Sequence, residues 1–322
     1  LLIPSSLQPA CVRRGTTSRR RCRWRRNPPR RRRARRCARN YWVGSSNEAA
    51  RNSDPSPIED IIPGAGPIDL RTGHAQAVLL LHGFGDTPQT LAYLARYLNE
   101  HGFDVRVPLL PGHGRSMAAM DASTHTQWLD YARAELYALR ARYRWVAVGG
   151  LSMGGTIAAI LAAEVRDLPS LVLIAPYLTM PRYLRLISST ANYWNGRVGP
   201  IRAATARSIL DPAERAANLA YGSVTGRGIH ELSLLVGAAR AILGEIAAPT
   251  LYIQSEGDNK ISPQSAMRAF AELRMETKKL VLTREGGHII TVDYGRERVF
   301  EEIRAWLGLV PEPRPSQGAR NS

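Results

Sequence analysis

The chain has 322 residues, 44% of them hydrophobic, and a formal net charge of +17. That length allows one large domain with a substantial core or two small ones. The charge sits at one end: residues 1–55 hold sixteen Arg, no Lys and only Glu48 and Asp54 as acids, fourteen of the seventeen excess charges, which excludes strong net basicity as a property of the rest.

Residues 13–39 are arginine-rich and of low complexity, with Pro28 and Pro29 between arginine runs. Self-repulsion and scarce apolar residues predict disorder, so 1–55 is read as a disordered tail. No apolar stretch of roughly 7–15 residues accompanies the arginines, as a secretory signal requires. The tail is read as an extension with no part in the chemistry; nucleic-acid binding and weak contact with an anionic surface are the rival readings. Cys11, Cys22 and Cys37 all lie within it at spacings that fit no zinc pattern. Residues 38–322 contain no cysteine, which excludes a disulfide, a thiolate nucleophile and a cysteine metal site there. No run of about 18 apolar residues exists to span a membrane, and a cytoplasmic location is expected.

From Ile58 onward, apolar runs alternate with helical patterns, the mark of an α/β sheet. Residues 75–82 (AQAVLLLH) read as a buried strand, and 87–100 as a helix with Leu91, Leu94 and Leu98 on one face. A short strand follows at 104–108, then a Pro-Gly-His-Gly loop at 111–114. Ser123 or Thr124 can cap a helix carrying Trp128, Leu129, Ala132, Leu136 and Leu139. Residues 145–151 read as a strand feeding a small-residue helix at 154–165, and 170–175 as the next buried strand. Strands at 250–254 and 279–282 and a helix at 296–307 complete the pattern. Between Pro176 and Pro249 the strand rhythm stops, with helices expected at 203–219 and 229–246. This insertion, about 177–247, is read as a helical cap, packing helices being the alternative. The main domain is set at 56–310, and 311–322 is expected to be a disordered C-terminal tail.

The run Val146 to Gly155 (VAVGGLSMGG) matches Gly-x-Ser-x-Gly between a strand and a helix. That is the pattern of a nucleophile elbow, where a strained turn lifts one serine hydroxyl above a sheet. Ser152 is the candidate nucleophile, and Gly150 and Gly154 must lack side chains so that strand and helix can pass closely. Serine needs a base to take its proton, and a carboxylate to hold that base in one tautomer. His288 lies in a glycine-flanked loop after the last expected strand, at the strand ends where open α/β sheets collect their active-site residues. Asp258 follows the strand at 250–254 and is the expected acid, with Glu256 its rival; Asp293 falls after the base, out of chain order. His82 and His113, in glycine-rich loops, are expected to shape those loops. The oxyanion needs preorganised N–H donors. Met153, after the nucleophile at a helix start, supplies one, and Phe84 in His82-Gly83-Phe84-Gly85-Asp86 is the expected second.

HGFGD at 82–86, PGHG at 111–114, GLSMGG at 150–155, the Asp258-Asn259-Lys260-Ile261-Ser262-Pro263 turn and Gly287-His288 together resemble the serine α/β-hydrolases, most of all the bacterial carboxylesterase and monoacylglycerol lipase branch. The likeness covers about residues 70–309. It implies an α/β-hydrolase fold, a mostly parallel central sheet with helices on both faces and a cap insertion. It also implies a cofactor- and metal-independent serine esterase, with Ser152, Asp258 and His288 as triad and Phe84 and Met153 as oxyanion donors. The implied partner is a small ester, a short- or medium-chain carboxylic ester or a monoacylglycerol. A thioesterase, acyltransferase or perhydrolase with the same triad is the alternative, and a non-catalytic binding protein or tail-driven nucleic-acid binder the alternative of another class.

Overall fold

The computed structural model describes residues 61–191, 199–202 and 207–309, all within the unit Pro55–Ser322; the expected tails at 1–55 and 311–322 lie outside the described residues. Seven strands form one sheet: β1 (Ile68–Leu70), β2 (Gln76–Leu81), β3 (Phe103–Val107), β4 (Trp145–Leu151), β5 (Leu171–Ile174), β8 (Thr250–Ser255) and β9 (Lys278–Thr283). Their order is β1-β3-β2-β4-β5-β8-β9, with β1 antiparallel to β3 and every other pair parallel.

The central strands are buried because helices cover both faces of the sheet. Every residue of β4, β5 and β8 is buried, as are Ala77 to Leu81 of β2. The edge strands β1 and β9 are only partly covered, and β1, only three residues long, escaped the sequence pattern. Helix α1 (Ala92–Glu100) follows a short 3-10 turn, Pro88–Leu91. Helix α2 (Met117–Ala122) was not foreseen. Thr124, not Ser123, caps α3 (His125–Arg140): its hydroxyl accepts from the Gln127 N–H, and the Gln127 side chain accepts from the Thr124 N–H, a closed capping box. Helix α4 (Met153–Glu164) packs beneath the sheet centre through glycine and alanine.

The insertion is of two kinds. Helix α5 (Arg182–Ser189) presents Tyr183, Leu186 and Ile187 to solvent, and the short strands β6 (Ile201–Arg202) and β7 (Ser223–Val224) pair antiparallel. Of the helix expected at 203–219, residues 203–206 lie outside the described residues, and the described part forms α6, Pro212–Ala217, which Asp211 caps and which ends at an extended Asn218. The second expected helix begins earlier, as α7 (Gly226–Ile242), and packs on α4 and α3 as well as α5. Its buried Ile229, Leu232, Leu235, Val236 and Ala239 form one helical face. Helix α8 (Pro263–Glu272) follows β8, and α9 (Arg296–Leu309) packs against α1 on the other face.

Candidate active site

The loops after β2, β4, β8 and β9 all leave the same edge of the parallel sheet, the carboxyl ends of the strands. Leu81 pairs with Gly150, and Ser255 pairs with Thr283, so the residues that follow these strands start out close together.

Ser152 leaves β4 with φ 54° and ψ −115°, a left-handed conformation costly for a residue with a side chain, of order 1–3 kcal/mol. The strain is held from several sides. The Ser152 N–H donates to the Ile174 carbonyl at 2.9 Å, and its own carbonyl accepts from Thr156 and Tyr177 at 3.2 and 3.0 Å. The glycines are required by contact: a Cβ on Gly150 would stand 2.2 Å from the Gly154 carbonyl, and one on Gly154 would stand 1.9 Å from the Leu81 oxygen.

The three residues singled out for chemistry meet in one line. His288 Nε2 lies 2.9 Å from Ser152 Oγ, and its Nδ1 lies 2.8 Å from Asp258 Oδ2. The Asp258 side chain is fully buried, which costs a carboxylate dearly unless donors surround it. Here Oδ1 accepts from the Lys260 and Ile261 amides at 2.6 and 2.9 Å, and Oδ2 accepts from the Gln254 side chain at 2.8 Å as well as from His288. Burial pushes this carboxyl up, but the His288 hydrogen bond and charge, with the two amides, outweigh it and hold Asp258 below its ordinary range. Glu256, the rival acid, is exposed and not in this line. Gln254 was not foreseen; its position inside β8, four residues before Asp258, was the available signal. Its Nε2 also reaches the Ser255 and Ile261 carbonyls, while its buried Oε1 has no partner.

The turn after β2 lies against the elbow: a Cβ on Gly83 would sit 3.5 Å from Ser152 Cβ. The backbone N–H groups of Phe84, in this turn, and Met153, at the start of α4, meet no protein acceptor among the described residues. Beneath the turn His82, Phe84, His113 and Trp128 pack edge to face, with ring centroids 5.0–6.3 Å apart. Both histidines shape the loops, as expected. The Leu110 N–H donates to His82 Nε2 at 3.1 Å, so Nδ1 carries the proton and faces the Gly83 oxygen at 3.0 Å. Burial, helped by His113, lowers His82 far below an ordinary imidazole, and burial brings His113 to about 4. Both rings are therefore neutral. Asp86, closing the same turn, is 4% exposed, and burial pushes its carboxyl up to about 7 against the opposing pull of the Thr87 amide, Thr90 and His288.

Asp293, set aside for its place in the chain, is no part of the Ser152–His288–Asp258 line. It is a buried structural acceptor for four backbone N–H groups, among them that of Gly287.

The family described as serine aminopeptidase, S33, matches residues 72–294. A thermostable monoacylglycerol lipase from Bacillus sp. (strain H-257) is 27% identical over 241 residues, covering 75% of this chain and 93% of that protein. A carboxylesterase from Bacillus subtilis (strain 168) is 26% identical over 244 residues, covering 73% and 93%. Among solved structures, one reported for two metagenome-derived lipolytic enzymes aligns with a TM-score of 0.71 and 26% identity, over 77% of this chain and 99% of its own. The monoacylglycerol lipase of Paleococcus ferrophilus, at 20% identity and a TM-score of 0.62, covers 75% of this chain and 97% of its own and shares the α/β-hydrolase fold.

Proposed function

The chain belongs to the serine aminopeptidase, S33, family, and from that premise we propose that it hydrolyses carboxylic esters through an acyl-enzyme on Ser152. It is a carboxylic ester hydrolase, as its lipase and esterase relatives are. Short- and medium-chain esters, including monoacylglycerols, are the substrates of this reading. The observation that carries it is the line Ser152 Oγ, His288, Asp258, with its contacts at 2.9 and 2.8 Å.

In the reaction the Asp258 carboxylate accepts a hydrogen bond from the Nδ1–H of His288 and stays ionised, leaving the Nε2 lone pair to receive the Ser152 proton as Oγ attacks the carbonyl. Negative charge then develops on the ester oxygen. The free Phe84 and Met153 amides donate to it, and the positive end of the α4 dipole favours it. His288 returns its proton to the departing alkoxide, and the alcohol leaves an acylated Ser152. Water, deprotonated by His288, attacks the acyl carbon and releases the acid, restoring the serine. The neutral His82 and His113 add no charge to the oxyanion turn.

A cytoplasmic location belongs to the same reading. Among the described residues no helix is long and apolar enough to cross a membrane.

The test is hydrolysis of p-nitrophenyl esters across acyl lengths by the wild type and by Ser152→Ala. We expect the variant to lose about three orders of magnitude or more in kcat. We also expect a fluorophosphonate to label Ser152 in the wild type alone. Full activity in a folded Ser152→Ala protein would overturn the mechanism.

A further inference from the structure

Residues 207–221, returning from the insertion toward β7, run past all three loops that carry the proposed chemistry. At the acid loop, the Ser208 hydroxyl donates to Asn259 Oδ1 at 3.3 Å, one residue from Asp258. At the base loop, the Ile289 N–H donates to the Ser208 carbonyl at 3.0 Å. At the oxyanion turn, the Tyr221 N–H donates to the Gly85 carbonyl at 2.9 Å, one residue from Phe84. The Tyr221 hydroxyl continues into the neighbouring loop, donating to the Gly112 carbonyl at 2.9 Å and accepting from the Arg115 N–H at 3.0 Å. Between these ends, Gln89 holds the segment by both ends of its amide: its Nε2 donates to the Ala217 carbonyl and its Oε1 accepts from the Leu219 N–H.

The densest join is at the base. Asp293 is 1% exposed, and its Oδ2 accepts from Gly287 and Leu210 N–H, each at 2.7 Å. Its Oδ1 accepts from Asp211 and Tyr294 N–H, each at 2.9 Å. Four N–H donors satisfy a buried carboxylate and fix two chain segments against each other. Both backbone neighbours of His288 are thereby tied to the segment, Gly287 through Asp293 and Ile289 directly. The approach is so close that a Cβ on Gly287 would stand 2.4 Å from the Arg207 carbonyl.

We infer that residues 207–221 are a strap that sets the acid, base and oxyanion loops in register, and that Asp293 is the positioning residue that latches it to the base loop. The inference rests on the reading of His288 as the base. Asp293 touches no reacting atom and acts through the backbone that carries the imidazole. An error of a fraction of an ångström at Nε2 reduces proton transfer from Ser152 while leaving substrate binding intact.

The test compares Asp293→Asn in the wild-type and His288→Ala backgrounds. Asparagine keeps the shape but turns one acceptor oxygen into a donor facing two N–H groups. In the wild-type background we expect kcat to fall ten- to a hundredfold, with KM within about twofold. In the His288→Ala background the same substitution is expected to change the residual rate by less than twofold, because the group it positions is gone. An equal loss in both backgrounds, or none in the first, overturns the strap. A His288→Ala protein with full activity overturns the base assignment instead. Hydrogen exchange on the wild type tests the strap without depending on a variant's folding. The Leu210, Asp211, Gly287 and Ile289 amides should exchange together as one unit. Leu210 and Asp211 exchanging a hundredfold faster than Gly287 and Ile289 would refute the latch.

Discussion

Replacing Asp86 with Asn should make the protein more stable at neutral and alkaline pH. Asp86 is buried in the turn after β2, its own N–H donating to the Gly83 carbonyl at 3.3 Å and its Oδ1 accepting from Thr87 N–H at 2.9 Å. Burial moves its carboxyl from an ordinary 3.8 up to about 7. At 1.36 kcal/mol per pKa unit, full ionisation in the folded state therefore costs about 4 kcal/mol. The sign follows from which state holds the proton. Below pH 3.8 the carboxyl is protonated folded and unfolded, and there is no penalty. Between 3.8 and 7 the folded protein alone keeps the proton, so stability falls as pH rises, by at most 1.36 kcal/mol per pH unit. Above 7 the whole penalty is present. Asparagine keeps the acceptor for Thr87 and never ionises, so the variant escapes the penalty. Urea denaturation of both proteins at pH 4, 5.5, 7 and 8.5 measures the difference directly. We expect near-equal stability at pH 4 and an advantage for Asp86→Asn that grows to on the order of 4 kcal/mol at pH 8.5. A difference that does not change with pH would refute the reasoning, whatever its size.

Gln254→Glu would set a second carboxyl 2.8 Å from Asp258 Oδ2, where Nε2 now donates. We expect kcat for p-nitrophenyl esters to fall at least tenfold at neutral pH, while Gln254→Met, neutral and of similar length, loses less. Gly154→Ala would drive a methyl to 1.9 Å from the Leu81 oxygen, backbone against backbone. That clash should cost upwards of about 3 kcal/mol, read as a lowered Tm or lost soluble yield, whereas Gly237→Ala in α7, with open space at its Cβ position, should be neutral or stabilising. Asp258, held below its ordinary 3.8, contributes stability that is present above that pH and lost as the pH falls through its folded value. The stability gap between the wild type and Asp258→Asn should therefore narrow on acidification below about pH 4, as measured by urea denaturation.

Much of the site was legible because its parts are local. Gly150, Ser152 and Gly154 lie within five residues, and the tight elbow demands those residue types wherever it occurs. The apolar runs of β2, β4 and β5 announced strands buried on both faces, and parallel strands bring their carboxyl ends to one edge. His288 could be placed on that edge before any distance was known. Thr124 could not be separated from Ser123 as a cap, because both hydroxyls suit the position. In the fold, Ser123 turns inward, donating to the Met120 carbonyl and accepting from the Trp128 indole.

What escaped the sequence depends on distant partners. Asp258 and Glu256 sit two residues apart in one loop, and only the surrounding fold buries one carboxylate among four donors and leaves the other in water. The chain order that set Asp293 aside as a catalytic acid said nothing about its hold on Leu210 and Asp211, more than eighty residues earlier. The apolar spacing of α7 marked a helix with a buried face but not that α3, α4 and α5 would be its neighbours. By itself the sequence determined the central strands, the elbow and the chemical types that meet at the sheet edge, since these follow from backbone sterics and local apolar pattern. The tertiary structure alone decided which carboxylate is ionised beside His288, which is raised toward 7, and which segment holds the loops. Desolvation and long-range hydrogen bonds have no value until the chain has closed around the groups that feel them.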